Sequence, residues 1–303
     1  MRGLPSINLA DLPLPPVLQP LDYEALLADI IAEFKTRWEA VRALHPELPS
    51  YDQQMLETDP AKIVLESAAY IYMLTLARVN DAAKALMLAT TSGGDLDSFA
   101  ADFDLPRLVV TPATDDAPAV MESDADYRRR RWLATEGYAA AGPEDAYRFF
   151  AMSADPSIKE ALAIKGDDNR VDLVLLSRDG NGAVSGQIVS KVHAALSPLK
   201  TRPLTDSLYT RSASIIAQPI SVLITVPYGP DRETVRAKAL SNIAAYAGSR
   251  NALGMVLRVD GIIGAAREGN AVETMQVVSP AADVDPGPFG AVYVDGITVA
   301  VAT

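Results

Sequence analysis

The stretch that most constrains this chain is PAKIVLESAAYIYMLTLARVNDAAKALMLA, residues 60–89. Asp59 followed by Pro60 reads as a helix start, an N-cap and then the residue whose missing N–H is harmless at the first helical position. At about 100° per residue, Lys62, Glu66, Asn80 and Lys84 fall within a stripe about 40° wide, and most of the remaining surface is apolar. Such a helix must be nearly surrounded. It either runs through the centre of its own domain or packs on helices of other chains, and periodicity does not separate the two. The helix is expected to reach Ala89, with Gly93 and Gly94 stopping it and Asp95 capping a short third helix through Leu96, Phe99 and Ala100.

A second amphipathic segment precedes it. From Asp22, which reads as an N-cap, to about Leu44, the residues Tyr23, Leu26, Leu27, Ile30, Ile31, Phe34 and Trp38 recur at three- and four-residue spacing until HPELPS breaks the run. Ahead of it, five prolines in the first 20 residues remove amide donors and fix φ, so residues 1–21 are expected to form an extended arm. Ile7, Leu9, Leu12, Leu14, Val17, Leu18 and Leu21 make that arm apolar enough to lie along a surface.

Residues 106–118 mix proline, threonine and aspartate and read as a linker, which places a boundary near residue 115. Next comes ESDADYRRRRWL, residues 122–133, where four arginines invite a nucleic-acid reading. A helix argues against it, because Arg128, Arg129, Arg130 and Arg131 then point in four directions and make no basic stripe. Ser123 with Asp126 reads as a capping box, and Asp124–Arg128 and Asp126–Arg130 have the spacing of helix ion pairs.

Beyond this, AAGPEDAYRFFAMSA restarts a helix at Pro143 with Ala146, Tyr147, Phe150 and Met152 inward. Short apolar runs on either side of GDDN, residues 166–169, predict a hairpin, and Ser185–Leu196 is helical again. A second α+β unit follows, with extended SASIIAQPISVLITVPYG, a helix from about Asp231 to Ala247 stopped by Gly248, and strands in VETMQVVS and ITVAVA. The fold class is therefore α+β, an N-terminal bundle-forming helical region followed by two small mixed domains. The boundaries are an arm over 1–21, a helical region over 22–115, and α+β domains over 116–205 and 206–303.

Chemistry is largely absent from the sequence. With 39 acidic against 27 basic residues the chain carries a formal charge of −12, which repels phosphate backbones and anionic membranes. It has no cysteine, hence no disulfide or thiolate chemistry. The N-terminus lacks a basic start followed by an apolar run, and the most apolar segment, residues 68–77, stops at Arg78, so a soluble protein without a signal or membrane span is expected. His45 and His193 lack metal-ligand spacing, RDGNGAVSGQ at 178–187 reads as a turn, and Asp115–Asp116 and Asp167–Asp168 lie in predicted loops. No catalytic, cofactor or metal residues are expected. The alternative is a cytosolic enzyme using an unrecognised carboxylate site such as Asp167 and Asp168.

Several separate blocks resemble one known family, the baseplate assembly protein J family of contractile-tailed bacteriophages, in particular its P2-like group. They are TDPAKIVLESAAYIYMLTLARVNDAAKALMLATTSGGDLDSFAADFDLPR, ESDADYRRRR, AAGPEDAYRFFAMSADPSIKEALAI, LVLLSRDGNG and RPLTDSLYTRSA, in the family's order, within a resemblance running from about residue 22 to the end. It implies a structural wedge subunit of the tail baseplate, located in the virion and assembled in the bacterial host cytoplasm, in a phage or a tailocin. Its implied partners are itself, through helical segments, other wedge proteins, and the central hub and sheath-proximal proteins of a sixfold ring that rearranges on contraction. Neither nucleic acid nor membrane insertion is expected. The interface candidates are Leu26, Ile30, Phe34 and Trp38 on the first helix, Ile71 and Leu74 on the second, and Arg128 and Arg131, since arginine suits bidentate pairing across an interface.

Overall fold

Asp22 and Asp59 cap the first two helices as their positions predict. Each side chain accepts a backbone N–H, from Ala25 and Ala61, at the start of α1 (Tyr23–Arg42) and α2 (Pro60–Ala85). The computed structural model describes residues 13, 15–51, 55–138, 142–198, 202–203, 205–229, 231–267 and 272–302. The expected arm residues Ile7, Leu9, Leu12 and Leu14 lie outside them. The chain forms two compact units, Met1–Asp102 and Phe103–Thr303.

In the first unit α2 ends at Ala85, four residues short of the expected Ala89. The chain tightens there, with Leu86 N–H on Ala83 O and Met87 N–H on Lys84 O, and the Thr90 hydroxyl donates to Lys84 O at 2.8 Å. That bond satisfies a terminal carbonyl from outside and closes the helix. The following helix α3 (Gly93–Ala101) starts from Ser92, so Gly93 and Gly94 belong to its first turn and Asp95 acts as an acid near the N-terminus, not as the cap.

In the second unit, residues 109–121 are not a linker. They form a hairpin of β1 (Val109–Thr111) and β2 (Val120–Met121), closed by a Thr114–Ala117 bridge. Helix α4 (Asp124–Leu133) follows, capped by Ser123, then a 3₁₀ turn at Glu136–Tyr138 and α5 (Glu144–Ala154). The hairpin expected around GDDN is present as β3 (Ile158–Lys165) and β4 (Arg170–Ser177), with Asp168 and Asn169 at positive φ in its turn. Asp and Asn are the non-glycine residues that tolerate this region best.

Helix α6 (Gly186–Leu196), capped by Ser185, carries the chain back so that β5 (Ser207–Ser212) lies parallel to β4 in a sheet ordered β3-β4-β5. The chain runs on as β6 (Ser214–Ala217) and β7 (Ile220–Thr225), then α7 (Arg232–Arg250), α8 (Val259–Ala266), β8 (Thr274–Ser279), β9 (Gly290–Tyr293) and β10 (Ile297–Val301). A second three-stranded sheet has the order β10-β7-β8, and β6 pairs with β9. Gly248 does not stop α7, which continues to Arg250 and ends at Asn251. There the Lys159 ammonium from β3 caps the helix, donating to Asn251 O at 2.6 Å and to its side-chain oxygen at 2.7 Å.

Strand β4 explains why its sequence lacks alternation. Leu173 and Leu175 enter one core with Tyr147, Ala151, Ile158 and Val192, while Val174 and Leu176 enter another with Ala213, Leu253 and Ala291. Both faces are buried, so both read apolar. The second sheet has its own core of Ile220, Val222 and Ile224 against Val235, Ala239 and Ile243 of α7 and Ile262 of α8.

Two of the family-like blocks meet at Tyr147, whose hydroxyl donates to Asp206 Oδ2 at 2.5 Å. Burial, and then the Asp206 hydrogen bond and charge, push the phenol above its ordinary value of 10.0. The folded state thus favours the neutral phenol, so this contribution is complete below pH 10 and is lost as pH rises through the raised folded value. Tyr147→Phe is expected to cost about 1–3 kcal/mol at neutral pH and to flatten the alkaline fall in stability, measured by urea unfolding between pH 7 and 11. An identical alkaline slope in the variant would assign that slope elsewhere.

Candidate protein interface

The polar stripe of α2 faces inward. Asn80 is buried, and its side-chain amide pairs reciprocally with the arm, accepting from Gln19 N–H at 2.9 Å and donating to Gln19 O at 2.8 Å. Pro16, Leu18 and Pro20 line a groove with Asn80 and Lys84, so the described part of the arm lies on its own helix. At the other end Lys62 pairs with Glu57 and with Glu66, 3.7 Å away, while Tyr23 OH reaches Glu66 O. Asn80→Ala removes both arm bonds. Exchange of the Gln19 amide is expected to accelerate at least about tenfold by hydrogen-exchange mass spectrometry or NMR, equivalent to about 1.4 kcal/mol of local protection. Unchanged exchange would mean that the clamp does not hold the arm.

With its polar stripe covered, α2 presents its apolar surface outward. Val64 is 66% exposed, Ile71 63%, Tyr70 53%, Val79 51% and Leu74 49%. Val64 and Ile71 are seven residues apart in a row that ends at the exposed Arg78, Tyr72 and Val79 are seven apart in a row that ends at the C-cap Leu86, and the small residues Ala68, Thr75 and Ala82 lie between these two rows. A seven-residue repeat holds one seam against a partner helix, and small residues within it allow close approach. Within the first unit, the buried apolar residues among those described are Leu27, Met55, Ala69, Leu96 and Ala100. This is a thin core for about 90 residues, whose surface-to-volume ratio favours support from outside.

The expected interface residues fall into three environments. Ile71 and Leu74 are on the exposed α2 surface. Leu26 and Ile30 are half-buried on α1, and Phe34 and Trp38 join Tyr51 in an aromatic cluster with ring centroids 5.2–6.0 Å apart. Trp38 Nε1 also donates to Pro49 O at 2.8 Å, so these two rings tie residues 49–51 back to α1. Val64, Tyr72 and Val79 share this exposed face, and their seven-residue spacing from Ile71 or from each other is legible in the sequence.

The arginines of α4 diverge as the helix requires. Arg129 reaches Glu160 on β3 at 3.3 Å, and Arg131 lies over the Phe103 ring at 3.4 Å, while Arg128 is half-buried. Arg130 is fully buried, and the expected Asp126–Arg130 pair does not form. Arg130 instead takes Glu122 in a two-pronged pair at 2.7 and 3.1 Å and donates to Pro106 O at 2.7 Å. Asp126 is occupied by Ser123 and by Arg178 at 2.5 Å. Asp124 pairs with Arg107 at 2.7 Å, and the guanidinium carbons of Arg107 and Arg130 lie 4.6 and 5.3 Å from the centre of the Tyr127 ring. These arginines fasten residues 103–108 and β3 to α4, and no basic stripe results.

The remaining candidates lie on the surface. Asp115 and Asp116 are exposed in the β1–β2 hairpin, and Asp167 and Asp168 are exposed in the β3–β4 turn. His45 faces Glu47 on the surface, and His193 contacts Thr210. Among the described residues no group of three or more histidines, cysteines or acids could hold a metal, and no helix is long and apolar enough to cross a membrane.

Comparison with known proteins gives this surface a context. Residues 57–114 match the family model of the baseplate J-like N-terminal domain, a span containing the whole of α2 and α3. The chain is also 35% identical over 292 residues to baseplate protein J of Escherichia phage P2, an alignment that covers 93% of each chain.

Proposed function

Because this chain belongs to the baseplate J family of bacteriophage structural proteins, we propose that it is a wedge subunit of a contractile-tail baseplate, in a phage or a tailocin. In this reading copies pair through α2, join other wedge proteins around a central hub in a sixfold ring, and rearrange when the tail contracts. The observation that carries it is the exposed apolar seam of α2 inside the family-matched segment. An apolar face that its own fold leaves open marks a place where another chain is to be buried. Ring widening would then be a change between two packings of the same helices and arms, since packed interfaces switch between discrete arrangements.

The chain is assigned to the virion tail, with assembly in the host cytoplasm. Deleting its gene is expected to leave tail structures without baseplates by negative-stain electron microscopy, and the wild-type gene supplied in trans should restore them. Normal baseplates in the deletion would contradict the structural role.

A further inference from the structure

Strand β5 is an edge: it pairs with β4, and among the described residues no strand pairs with it on the other side. Its sequence, SLYTRS, has no proline to block a further strand, and Tyr209 is 54% exposed. Two residues on, Arg211 is partly buried, its Nε is buried without a hydrogen-bond partner, and no carboxylate among the described residues pairs with it. This is unusual in a protein where the part-buried Arg129, Arg148 and Arg178 all take acids.

The arginine is nevertheless held in place. Its guanidinium carbon lies 3.9 Å from the centre of the Phe289 ring. Phe289 is itself fixed, between Pro288 and Gly290, with its carbonyl accepting from Ser214 N–H at 2.9 Å. A Cβ at Gly290 would lie 2.3 Å from Pro286 O and 3.0 Å from Ser214 O, so the loop fits closely against β6. With Nε buried, a guanidinium stacked on a ring offers a carboxylate its terminal edge, Nη1 and Nη2, for two parallel bonds.

We propose that the β5 edge, anchored by Arg211 on its Phe289 platform, docks an extended acidic segment of another baseplate protein. The inference rests on the structural role proposed above. Backbone pairing along the edge would supply affinity, and one acidic side chain meeting Arg211 would set the register. A single arginine makes one two-pronged contact, which suits one carboxylate, whereas a phosphate backbone is held by several cations together.

The test places the photo-crosslinker p-benzoylphenylalanine at Tyr209 in the full chain, co-expressed with the remaining baseplate proteins. A crosslink to an extended segment containing Asp or Glu is expected. Arg211→Glu should lower incorporation at least about tenfold, and changing the partner's acid to arginine should restore it. Restoration cannot come from an unfolded protein, and glutamate would preserve any role of a charge in guarding the edge. Undiminished incorporation of Arg211→Glu, a reduced incorporation that no partner change rescues, or a crosslinked segment without acids would overturn the proposal. Wild-type protein that enters no assembly would overturn the structural role, and this inference with it.

Discussion

The double substitution Ile71→Glu with Leu74→Glu is expected to leave the chain folded and to abolish its self-association. Both side chains are exposed in the isolated chain, so the change should alter unfolding free energy by no more than about 0.5 kcal/mol each. At a helical seam, by contrast, it would bury carboxylates without partners, at a cost of several kcal/mol per interface. Apparent affinity should fall by more than about 100-fold, or about 2.7 kcal/mol. Sedimentation velocity over a concentration series measures it. Assembly unchanged by two added charges would exclude this face of α2, and an unfolded variant would show that the face is covered within its own chain.

The second large effect lies at Glu122. Its carboxylate and the Arg130 guanidinium are 4% and 2% exposed, and Glu122 also accepts from Leu108 N–H at 3.2 Å. Glu122→Ala would leave a buried arginine uncompensated, and a loss of about 3–5 kcal/mol is expected in urea unfolding. Against a total stability of about 5–15 kcal/mol this is enough to unfold a marginal protein. The double change Glu122→Leu with Arg130→Met removes both charges together and should recover much of that loss. The exposed Arg236–Glu233 pair on α7 is the control, and breaking it should be nearly silent. A small effect at Glu122 would mean that water reaches the pair.

The contrast between these sites shows how far the sequence could be read. Helix starts were legible, because Asp22, Asp59, Ser123, Ser185 and Asp231 each accept a backbone N–H two or three residues on, a local interaction. The β3–β4 turn was legible for the same reason. Helix ends were less so: α2 stops where the Thr90 hydroxyl takes Lys84 O, and α7 passes through Gly248 to a cap supplied by Lys159, 92 residues away in sequence.

The direction of a face was the hardest feature. The period of α2 places Lys62, Glu66, Asn80 and Lys84 on one line, but a rule that sends polar groups to water would turn that line outward. It is turned inward because Gln19 supplies both a donor and an acceptor for the Asn80 amide, a match that residue types alone do not reveal. The partner of Arg130 is equally hidden from residue spacing. Spacing favoured Asp126 within the helix, whereas the buried acceptor is Glu122, just before the cap. Helix α8, at eight residues, is too short to establish a period in the sequence.

The central claim is that this chain is built to be completed by other chains. Light scattering coupled to size exclusion, on the protein alone and co-expressed with the products of its neighbouring genes, tests it most directly. A defined complex containing more than one copy of the chain is expected. A monomer of 32.3 kDa in both preparations, indifferent to every neighbour, would contradict the account.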